Sequence, residues 1–180
     1  QTPFRPRSPY AVAKATAYWE VANYREAYDI FACSGLLFNH ESPLRPERFV
    51  TQKIVSAACR ILAGSKEKLI LGNLSVERDW GWAPEYVDAM WRMLQLDKPE
   101  DFVIATGESH RLEHFIEAAF IKLEMDWHQH VEVDSKYFRA TDIAVSRANP
   151  GKAESVLGWK AENKMADVVG MMVEAELNRY

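Results

Sequence analysis

The chain has 180 residues, of which 48% are hydrophobic and 27% are charged, and its formal net charge at pH 7 is −4. This length can bury a sizeable core without disulfides, and the acidic balance argues against a nucleic-acid-binding surface. Cys33 and Cys59 lie in apolar stretches, so we expect both to be reduced and buried in a cytoplasmic protein. No apolar run reaches the roughly 18 residues of a membrane span, and a membrane protein is not expected.

The first predicted element is a helix over residues 9–28. Ser8 is a suitable N-cap, Pro9 suits the first helical position, and several alanines raise the helix propensity. Such a helix places Tyr10 and Lys14 on one face. Because an ammonium beside a phenol favours the phenolate, the pair suits proton transfer at neutral pH. The Y-x-x-x-K spacing also occurs by chance, and an ordinary surface Tyr and Lys is the alternative.

A buried strand and a loop are predicted next. Residues 29–39 form a near-continuous apolar run, DIFACSGLLFN, which is typical of a parallel strand buried on both faces. We expect a loop over residues 40–46. Loops that follow the carboxyl ends of parallel strands are where α/β folds bind ligands.

The remainder of the chain alternates between helical and strand patterns. Strands are predicted at 69–71, 102–105 and 131–133. Helices are predicted at 48–63, at 112–123, at 150–157 and around 168–175, and the first of these should stop at Gly64. A further helix should begin at Pro84, with an apolar stripe of Val87, Met90, Trp91 and Leu94. This alternation predicts an α/β fold. No G-x-G-x-x-G fingerprint for a dinucleotide occurs in these residues.

Several longer motifs are far more specific than the Tyr-Lys spacing. They are SPYAVAK, NYREAYDIFACSGLLFNHESP, RFVTQKI, LGNLSVERDWGW, IATGESH, VDSKYFRATDI and NPGKAESVLGWK. With these motifs the chain resembles the second half of an extended short-chain dehydrogenase/reductase, specifically of the GDP-mannose 4,6-dehydratase family. The resemblance implies the end of a Rossmann-type parallel sheet over residues 1–64 and a smaller α/β domain for the GDP-sugar over residues 65–180.

The resemblance also implies an activity, the conversion of GDP-mannose to GDP-4-keto-6-deoxymannose. The implied cofactor, NADP, accepts a hydride from C4 of the sugar and returns it to C6 after water is lost. Tyr10 is the implied catalytic base, and Lys14 binds the nicotinamide ribose and lowers the pKa of Tyr10. A second acid/base set, a Thr and a Glu, lies upstream of the tyrosine in the family and outside these residues. The chain alone is therefore expected to be inactive.

Binding residues follow from the same resemblance. The implied cofactor contacts are Tyr10, Lys14, Asn39, His40 and Arg45, and the implied substrate contacts are Asn39, Glu41, Arg78, Arg139 and Asp142. We expect Asn39 and Glu41 to line the same wall as His40. The alternative for His40 is a turn histidine bonded to nearby backbone, and for Arg78 an ion pair with Asp79. Leu44, Pro46, Glu77 and Trp82 depart from the family pattern and put the phosphate contacts near them in doubt.

Other functions stay open at this point. A related GDP-4-keto-6-deoxymannose reductase or a sugar-nucleotide epimerase shares Tyr10 and Lys14, and a non-catalytic nucleotide-sugar-binding homologue is a further alternative. No metal site is expected, since we interpret His128 and His130 as surface or loop histidines. The resemblance implies a homo-oligomer, dimer or tetramer, that acts in deoxyhexose synthesis, for GDP-fucose or GDP-rhamnose, without nucleic-acid or membrane partners.

Overall fold

The computed structural model describes residues 2–139 and 141–179. Within these ranges the chain forms six α-helices and eight short strands. The helices are α1 (Pro9–Tyr28), α2 (Val50–Leu62), α3 (Ala83–Met93), α4 (Leu112–Lys122), α5 (Gly151–Leu157) and α6 (Met165–Leu177). The strands are β1 (Gly35–Leu37), β2 (Asn39–Glu41), β3 (Leu69–Leu71), β4 (Glu77–Arg78), β5 (Trp80–Trp82), β6 (Phe102–Ile104), β7 (His110–Arg111) and β8 (Val131–Val133). None of the helices in the described ranges is long and apolar enough to cross a bilayer.

The helical predictions are confirmed, because local signals define the helix ends. At the start of α1 the Ser8 hydroxyl accepts a hydrogen bond from the Ala11 amide at 3.1 Å, and Pro9 follows as the first helical residue. The helix ends at Asp29, which adopts a left-handed conformation with φ of 52°. At the end of α5 Gly158 takes the left-handed position, with φ of 58°.

The predicted single strand over residues 29–39 is wrong. Strand pairing begins only at Gly35, and the chain changes its partner at Phe38, so that β1 pairs with β6 and β2 with β5. Side chains hold the backbone of Ala32 and Ser34, and the Ser34 carbonyl also accepts from the Phe102 amide of β6 at 3.0 Å. Arg25 donates to the carbonyl of Ala32 at 2.9 Å, and Asp101 accepts from the amide of Ser34 at 2.7 Å.

The predicted loop is also shorter than expected. His40 and Glu41 belong to β2, so the loop begins at Ser42. Because β2 pairs in register with β5, the backbone of both residues is fixed by a neighbouring strand. This places His40 on a regular element, and the side chains of β2 alternate between the two faces of the pair.

The parallel α/β arrangement is confirmed. Three pairs of described strands are parallel, β1–β6, β2–β5 and β3–β8, whereas β4 and β7 are antiparallel. On the other side of β4, Glu77 exchanges backbone hydrogen bonds with residues 144 and 146, at 2.8 and 3.1 Å. Strand β4 therefore connects the segment after residue 141 to the rest of the fold.

Two hydrophobic cores support these elements. The larger lies between α2, α4 and α6 and contains Ile54, Phe120 and Val173 among others. The smaller is built around Tyr86 and Trp159 and joins α3, β6 and the segment after α5. Because α2 shares its core with α4 and α6, packing crosses residue 64, and the division into domains at that residue stays a prediction.

The predicted apolar stripe of α3 is wrong. Val87, Trp91 and Leu94 are about 60% exposed, at 62%, 61% and 60%, whereas the buried residues of α3 are Tyr86, Ala89 and Met93. Both stripes are apolar, so the periodicity does not distinguish them. The small Ala89 side chain marks the face that lies against α5, and the Tyr86 ring on that face meets Trp159 edge-on at 5.9 Å.

Both cysteines are free, and they differ in burial. Cys59 is buried in the larger core, and this burial raises the pKa of its thiol to about 11. Cys33 is only half-buried, with its Sγ 3.8 Å from the carbonyl oxygen of Met93. The prediction of full burial is therefore confirmed for Cys59 and wrong for Cys33.

Candidate active site

Tyr10 and Lys14 lie together on an exposed face of α1. Tyr10 is 73% exposed, and the Lys14 ammonium lies 5.9 Å from the centroid of its ring. The helix that starts at Pro9 produces this arrangement, because residues four apart lie one above the other. A hydroxyl and a cation thus lie close together on the surface of this helix. Their roles in catalysis stay predictions.

Asn39, His40 and Glu41 were predicted to line one wall of the site, but strand β2 places them on two sides. Side chains alternate along a strand, so Asn39 and Glu41 lie on one side and His40 on the other. Their contacts agree with this alternation. Glu41 binds Thr51 of α2, whereas the His40 ring stacks on Tyr86 of α3. The prediction of one common wall is therefore wrong for His40.

His40 is fixed in orientation by two neighbours. Its Nδ1 lies 2.8 Å from the carbonyl oxygen of Phe38, and its ring stacks on Tyr86 with 4.9 Å between the centroids. Since a carbonyl only accepts, Nδ1 carries the proton, and Nε2 is the nitrogen that can bind a further group. The backbone bond considered as the alternative for His40 is present, on a strand and not in a turn.

Tyr86 is a residue that sequence reasoning missed. Its side chain is fully buried, and its hydroxyl has no hydrogen-bond partner among the described residues. The pKa of this hydroxyl is raised, first by burial and then by the nearby carboxylates of Asp79, Glu85 and Glu41. Residue 81, opposite His40 in β5, must be glycine, because a Cβ there would overlap the Tyr86 ring. The sequence signal for this role was the placement of Tyr86 about one helical turn before the small Ala89, on the face of α3 that is buried.

Glu41 and Arg45 form a pair at the start of the loop. The Glu41 carboxylate is 1% exposed, accepts a hydrogen bond from the Thr51 hydroxyl at 2.7 Å, and lies 2.9 Å from Arg45 Nε. Burial raises the pKa of Glu41, while Thr51 and Arg45 oppose that shift. Arg45 also stacks on Phe49 at 4.0 Å and is 27% exposed. Glu41 thus faces inward and orients Arg45. Sequence reasoning predicted Glu41 as a substrate contact and did not predict this pairing.

Arg78 and Asp142, both predicted to bind substrate, are brought together by the fold. They are 64 residues apart in sequence, and Arg78 Nη2 donates to Asp142 Oδ1 at 2.8 Å. Arg78 Nη1 donates to the carbonyls of Glu77 and Ile143 at 2.7 and 2.6 Å. Within the described residues these bonds use three of the five guanidinium N–H groups. The remaining donor capacity suits oxygens of a diphosphate.

The alternative partner proposed for Arg78 is wrong. Asp79 is fully buried and accepts hydrogen bonds from the backbone amides of Thr106 and Gly107, at 3.0 and 2.8 Å. It therefore fixes the turn after β6. Sequence reasoning missed this role because the two amides lie 27 and 28 residues further along the chain.

Arg139 lies on the exposed segment that leads to Asp142. Its carbonyl accepts from the Asp142 amide at 3.4 Å, and Thr141 donates its hydroxyl to the carbonyl of Arg7 at 3.1 Å. Arg7 directly precedes the Ser8 cap of α1. The segment that carries Arg139 and Asp142 is thus tied to the start of the helix that carries Tyr10.

No group of three or more His, Cys, Asp or Glu residues in the described ranges is arranged to hold a metal ion. His128 is exposed, and its Nδ1 lies 2.8 Å from the Asp126 carboxylate in a short turn. His130 stacks on Phe120 at 5.8 Å. The two histidines therefore serve local structure, as interpreted from the sequence.

Comparisons with known proteins identify relatives along nearly the whole chain. Residues 1–172 match the family described as GDP-mannose 4,6 dehydratase. The chain is 50% identical to GDP-mannose 4,6 dehydratase 1 of Arabidopsis thaliana over 176 residues, which cover 98% of this chain and 49% of that protein. It is 46% identical to GDP-mannose 4,6 dehydratase of Homo sapiens, over 98% of this chain and 52% of that protein. The chain thus spans about half the length of these curated relatives.

Solved structures support the fold. RMD from Pseudomonas aeruginosa, in a complex with NADPH, superposes with a TM-score of 0.88 at 20% identity, over 98% of this chain and 58% of that chain. A dTDP-glucose 4,6-dehydratase from Bacillus anthracis, in a complex with NAD, gives a TM-score of 0.86 at 18% identity, over 97% and 54%. The predicted fold, the C-terminal part of an extended short-chain dehydrogenase/reductase, is therefore confirmed. By its match over residues 1–172, the chain belongs to the GDP-mannose 4,6-dehydratase family.

Proposed function

We propose that the chain is the half of a GDP-mannose 4,6-dehydratase that carries the catalytic tyrosine and most of the sugar-nucleotide site. The enzyme would convert GDP-mannose to GDP-4-keto-6-deoxymannose with NADP as cofactor. The observation that carries this proposal is the exposed Tyr10 hydroxyl, which shares one face of α1 with the Lys14 ammonium 5.9 Å from its ring, in a chain of this family. The presence of both groups argues against a purely non-catalytic homologue.

The chemistry of three proposed cofactor contacts fits a dinucleotide. Tyr10 and Lys14 are exposed, and Arg45 is partly exposed, so a hydroxyl, an ammonium and a guanidinium are available for ribose hydroxyls and phosphate oxygens. NADP, when bound, supplies the hydride acceptor and donor. Tyr10 would then move the proton of the sugar hydroxyl, with the Lys14 ammonium on the same face of the helix. His40 Nε2 would contact the same cofactor, whereas the Asn39 side chain lies on the other side of β2.

The sugar nucleotide would bind at the Arg78–Asp142 pair. Arg78 presents a planar guanidinium to the diphosphate, and Asp142 offers a carboxylate to a ribose or base donor. Arg139, exposed on the same segment, would add a second positive charge. The bond from Thr141 to Arg7 supports this placement, because it ties the segment to the start of the Tyr10 helix.

The proposal extends to the biological setting. We propose a cytoplasmic homo-oligomer, a dimer or tetramer, in deoxyhexose synthesis, for GDP-fucose or GDP-rhamnose. Free Cys33 and Cys59 support a reducing compartment. Large side chains exposed on α1, including Trp19 and Tyr28, support an interface on that helix.

Incubation of the full natural protein with GDP-mannose and NADP⁺ tests the proposed reaction. A dehydratase yields a product lighter by one water, with a 4-keto group and no net NADPH. Consumption of added NADPH with a 4-keto substrate would instead identify a reductase, and binding without turnover would identify a non-catalytic homologue. Either of those results would contradict the proposal.

Replacement of Arg78 tests the substrate site. We expect Arg78→Ala to raise the KM for GDP-mannose about 10- to 100-fold, because a charged contact with the diphosphate is lost. Arg147→Ala is the matched control, since Arg147 is 76% exposed and pairs with the neighbouring Glu77 at 3.3 Å. An unchanged KM in Arg78→Ala would remove Arg78 from the substrate site.

A further inference from the structure

The loop between β2 and α2, residues 42–46, carries Arg45, one of the proposed cofactor contacts, and Leu44 at its tip is 89% exposed. Around it the Arg45 amide donates to the Ser42 carbonyl at 3.0 Å and the Leu44 amide to the Ser42 hydroxyl at 3.3 Å, and the Pro46 carbonyl accepts from the Phe49 amide at 3.0 Å. Prolines at 43 and 46 stiffen the loop but lack amide donors. Contacts from outside the loop would therefore reduce the number of conformations that it can adopt.

Arg179 supplies such a contact from the far end of the chain. Its Nη2 donates to the carbonyl of Pro43 at 2.6 Å, across 136 residues of sequence. Its Nη1 donates to Glu176 Oε2 at 2.8 Å. Arg179 lies just beyond the end of α6 and is half-exposed, so its guanidinium spans the gap between α6 and the tip of the loop.

Glu176 holds the guanidinium of Arg179 in place. Its side chain is 5% exposed, and its Oε2 also accepts from Gln52 Nε2 at 3.0 Å. A buried carboxylate is costly unless it is paired and hydrogen-bonded, so these two donors fix its position. Gln52 itself is buried and donates to the Ser56 hydroxyl at 3.1 Å within α2.

One turn of α2 is therefore linked to the loop through two series of contacts. Thr51 binds Glu41, which pairs with Arg45, and the next residue, Gln52, binds Glu176, which pairs with Arg179. The first connection orients the guanidinium of Arg45. The second holds the backbone of Pro43. Both connections converge on the segment that joins His40 to Arg45.

We infer that Arg179 and Glu176 are positioning residues for the cofactor loop, residues 42–46, and that they raise the affinity for the dinucleotide without touching it. This inference rests on the proposed function, since it assigns the loop to the cofactor. It extends that function to the end of α6, where no residue had been expected to take part.

Hydrogen exchange and cofactor binding in Arg179→Ala, made in the full natural protein, test this inference. We expect peptides covering residues 42–48 to exchange roughly fivefold faster, and the Kd for NADP⁺ to rise by a similar factor, because a charged hydrogen bond to the loop is lost. Turnover at saturating NADP⁺ should return to the unaltered value, since Tyr10 and Lys14 are unchanged. Arg179→Lys keeps one donor and should fall between the two proteins.

Glu174→Ala is the matched control on the same helix. Glu174 pairs with Lys122 at 2.8 Å on the exposed side of α6, so its loss should alter neither the loop nor the Kd. Unchanged exchange of residues 42–48 in Arg179→Ala would overturn the inference, and so would faster exchange with an unchanged Kd. Failure of the unaltered protein to bind NADP⁺ would instead contradict the proposed function. In that case the hydrogen-exchange rate of residues 42–48 in Arg179→Ala would still show whether Arg179 holds the loop.

Discussion

Helix α1 and helix α2 lie in very different surroundings. None of the twenty described residues of α1 is buried, whereas nine of the thirteen residues of α2 are buried against α4 and α6. Helix α1 carries Tyr10 and Lys14, the proposed proton-transfer pair. Helix α2 carries Thr51 and Gln52, which hold the cofactor loop from inside the core. The chemistry is thus presented by an exposed element and positioned by a buried one.

The contrast extends to how each helix is held. Burial of apolar side chains holds α2, and this contribution is spread over many contacts. Helix α1 depends on a few polar bonds, above all the two between Arg25 and Asp101 at 2.8 and 2.9 Å. A helix of this kind opens locally at a lower free energy than one in the core. The following predictions test whether substitutions on α1 mainly alter activity and substitutions on α2, α4 and α6 mainly alter stability.

The largest expected effect is on turnover in Tyr10→Phe. Loss of the phenolic hydroxyl should lower kcat roughly 10²–10⁴-fold, because no group remains to transfer the proton. Affinity for GDP-mannose should stay nearly unchanged, since Arg78 and Asp142 are intact. Steady-state kinetics and equilibrium binding in the full natural protein measure the two effects.

Tyr24→Phe provides the control for this change on the same helix. Tyr24 is 54% exposed and contacts Tyr28, so loss of its hydroxyl should leave turnover unaltered. Equal activity of Tyr10→Phe and Tyr24→Phe would remove Tyr10 from the mechanism and with it the functional role of α1.

Two identical substitutions compare stability in the two regions. In the 180-residue chain, Val173→Ala in α6 should lower the free energy of unfolding by about 2–3 kcal/mol, because Val173 is fully buried. Val12→Ala in α1 should change it by less than about 0.5 kcal/mol, because Val12 is 51% exposed. Urea denaturation measures both. Similar losses at the two sites would show that α1 is packed as firmly as α6.

Local sequence signals predicted the helices well and the strands only in part. Helix ends depend on nearby residues, such as Ser8 before α1 and Gly158 after α5, and these could be identified from the sequence. The predicted strands β3, β6 and β8 are rich in aliphatic residues, whereas β4 (Glu-Arg), β5 (Trp-Gly-Trp) and β7 (His-Arg) have no such run to mark them as strands. Their positions depend on distant partners, such as Arg78 opposite His110, which no local pattern specifies.

The candidate site likewise has one part that local sequence predicts and other parts that it does not. The Tyr10–Lys14 arrangement follows from helical spacing within one element, and the structure has it. The Arg78–Asp142 bond joins residues 64 apart, and family resemblance indicated both residues without indicating their contact. Burial of Glu41 and Tyr86 depends on which faces of β2 and α3 meet the core, so neither role was predicted from the sequence.

A smaller effect is expected when the anchor of α1 is removed. Asp101→Asn should lower the free energy of unfolding at pH 7 by about 1–2 kcal/mol, because the bonds to Arg25 and to the Ser34 amide lose their charge. Amides of α1 should exchange faster than those of α2. The hydrogen bond from Arg25 holds the pKa of Asp101 below its ordinary value of 3.8. The unaltered protein therefore gains this stability above pH 4 and loses it as the pH falls through the lowered pKa.

The pH dependence supplies the check on this prediction. The difference in stability between the unaltered chain and Asp101→Asn should be full at neutral pH and should shrink below about pH 4. Asp88→Asn is the control, since Asp88 and Arg92 form an exposed pair on α3 at 2.8 Å, worth less than about 0.5 kcal/mol. A difference that persists unchanged at low pH would contradict the ion pair as the anchor of α1.

The smallest effect is expected for the hydroxyl of Tyr86, which is buried in the smaller core without a partner in the described part of the chain. Tyr86→Phe should change the free energy of unfolding by less than about 0.5 kcal/mol, because an unsatisfied hydroxyl contributes no bond. The His40 ring, stacked at 4.9 Å, should keep its ring-current-shifted proton signals in an NMR spectrum. Tyr86→Leu should abolish that shift and weaken NADP⁺ binding, since His40 loses the ring that orients it. Destabilisation of Tyr86→Phe by more than about 1 kcal/mol would show that the hydroxyl is bonded in the folded protein and would contradict this prediction.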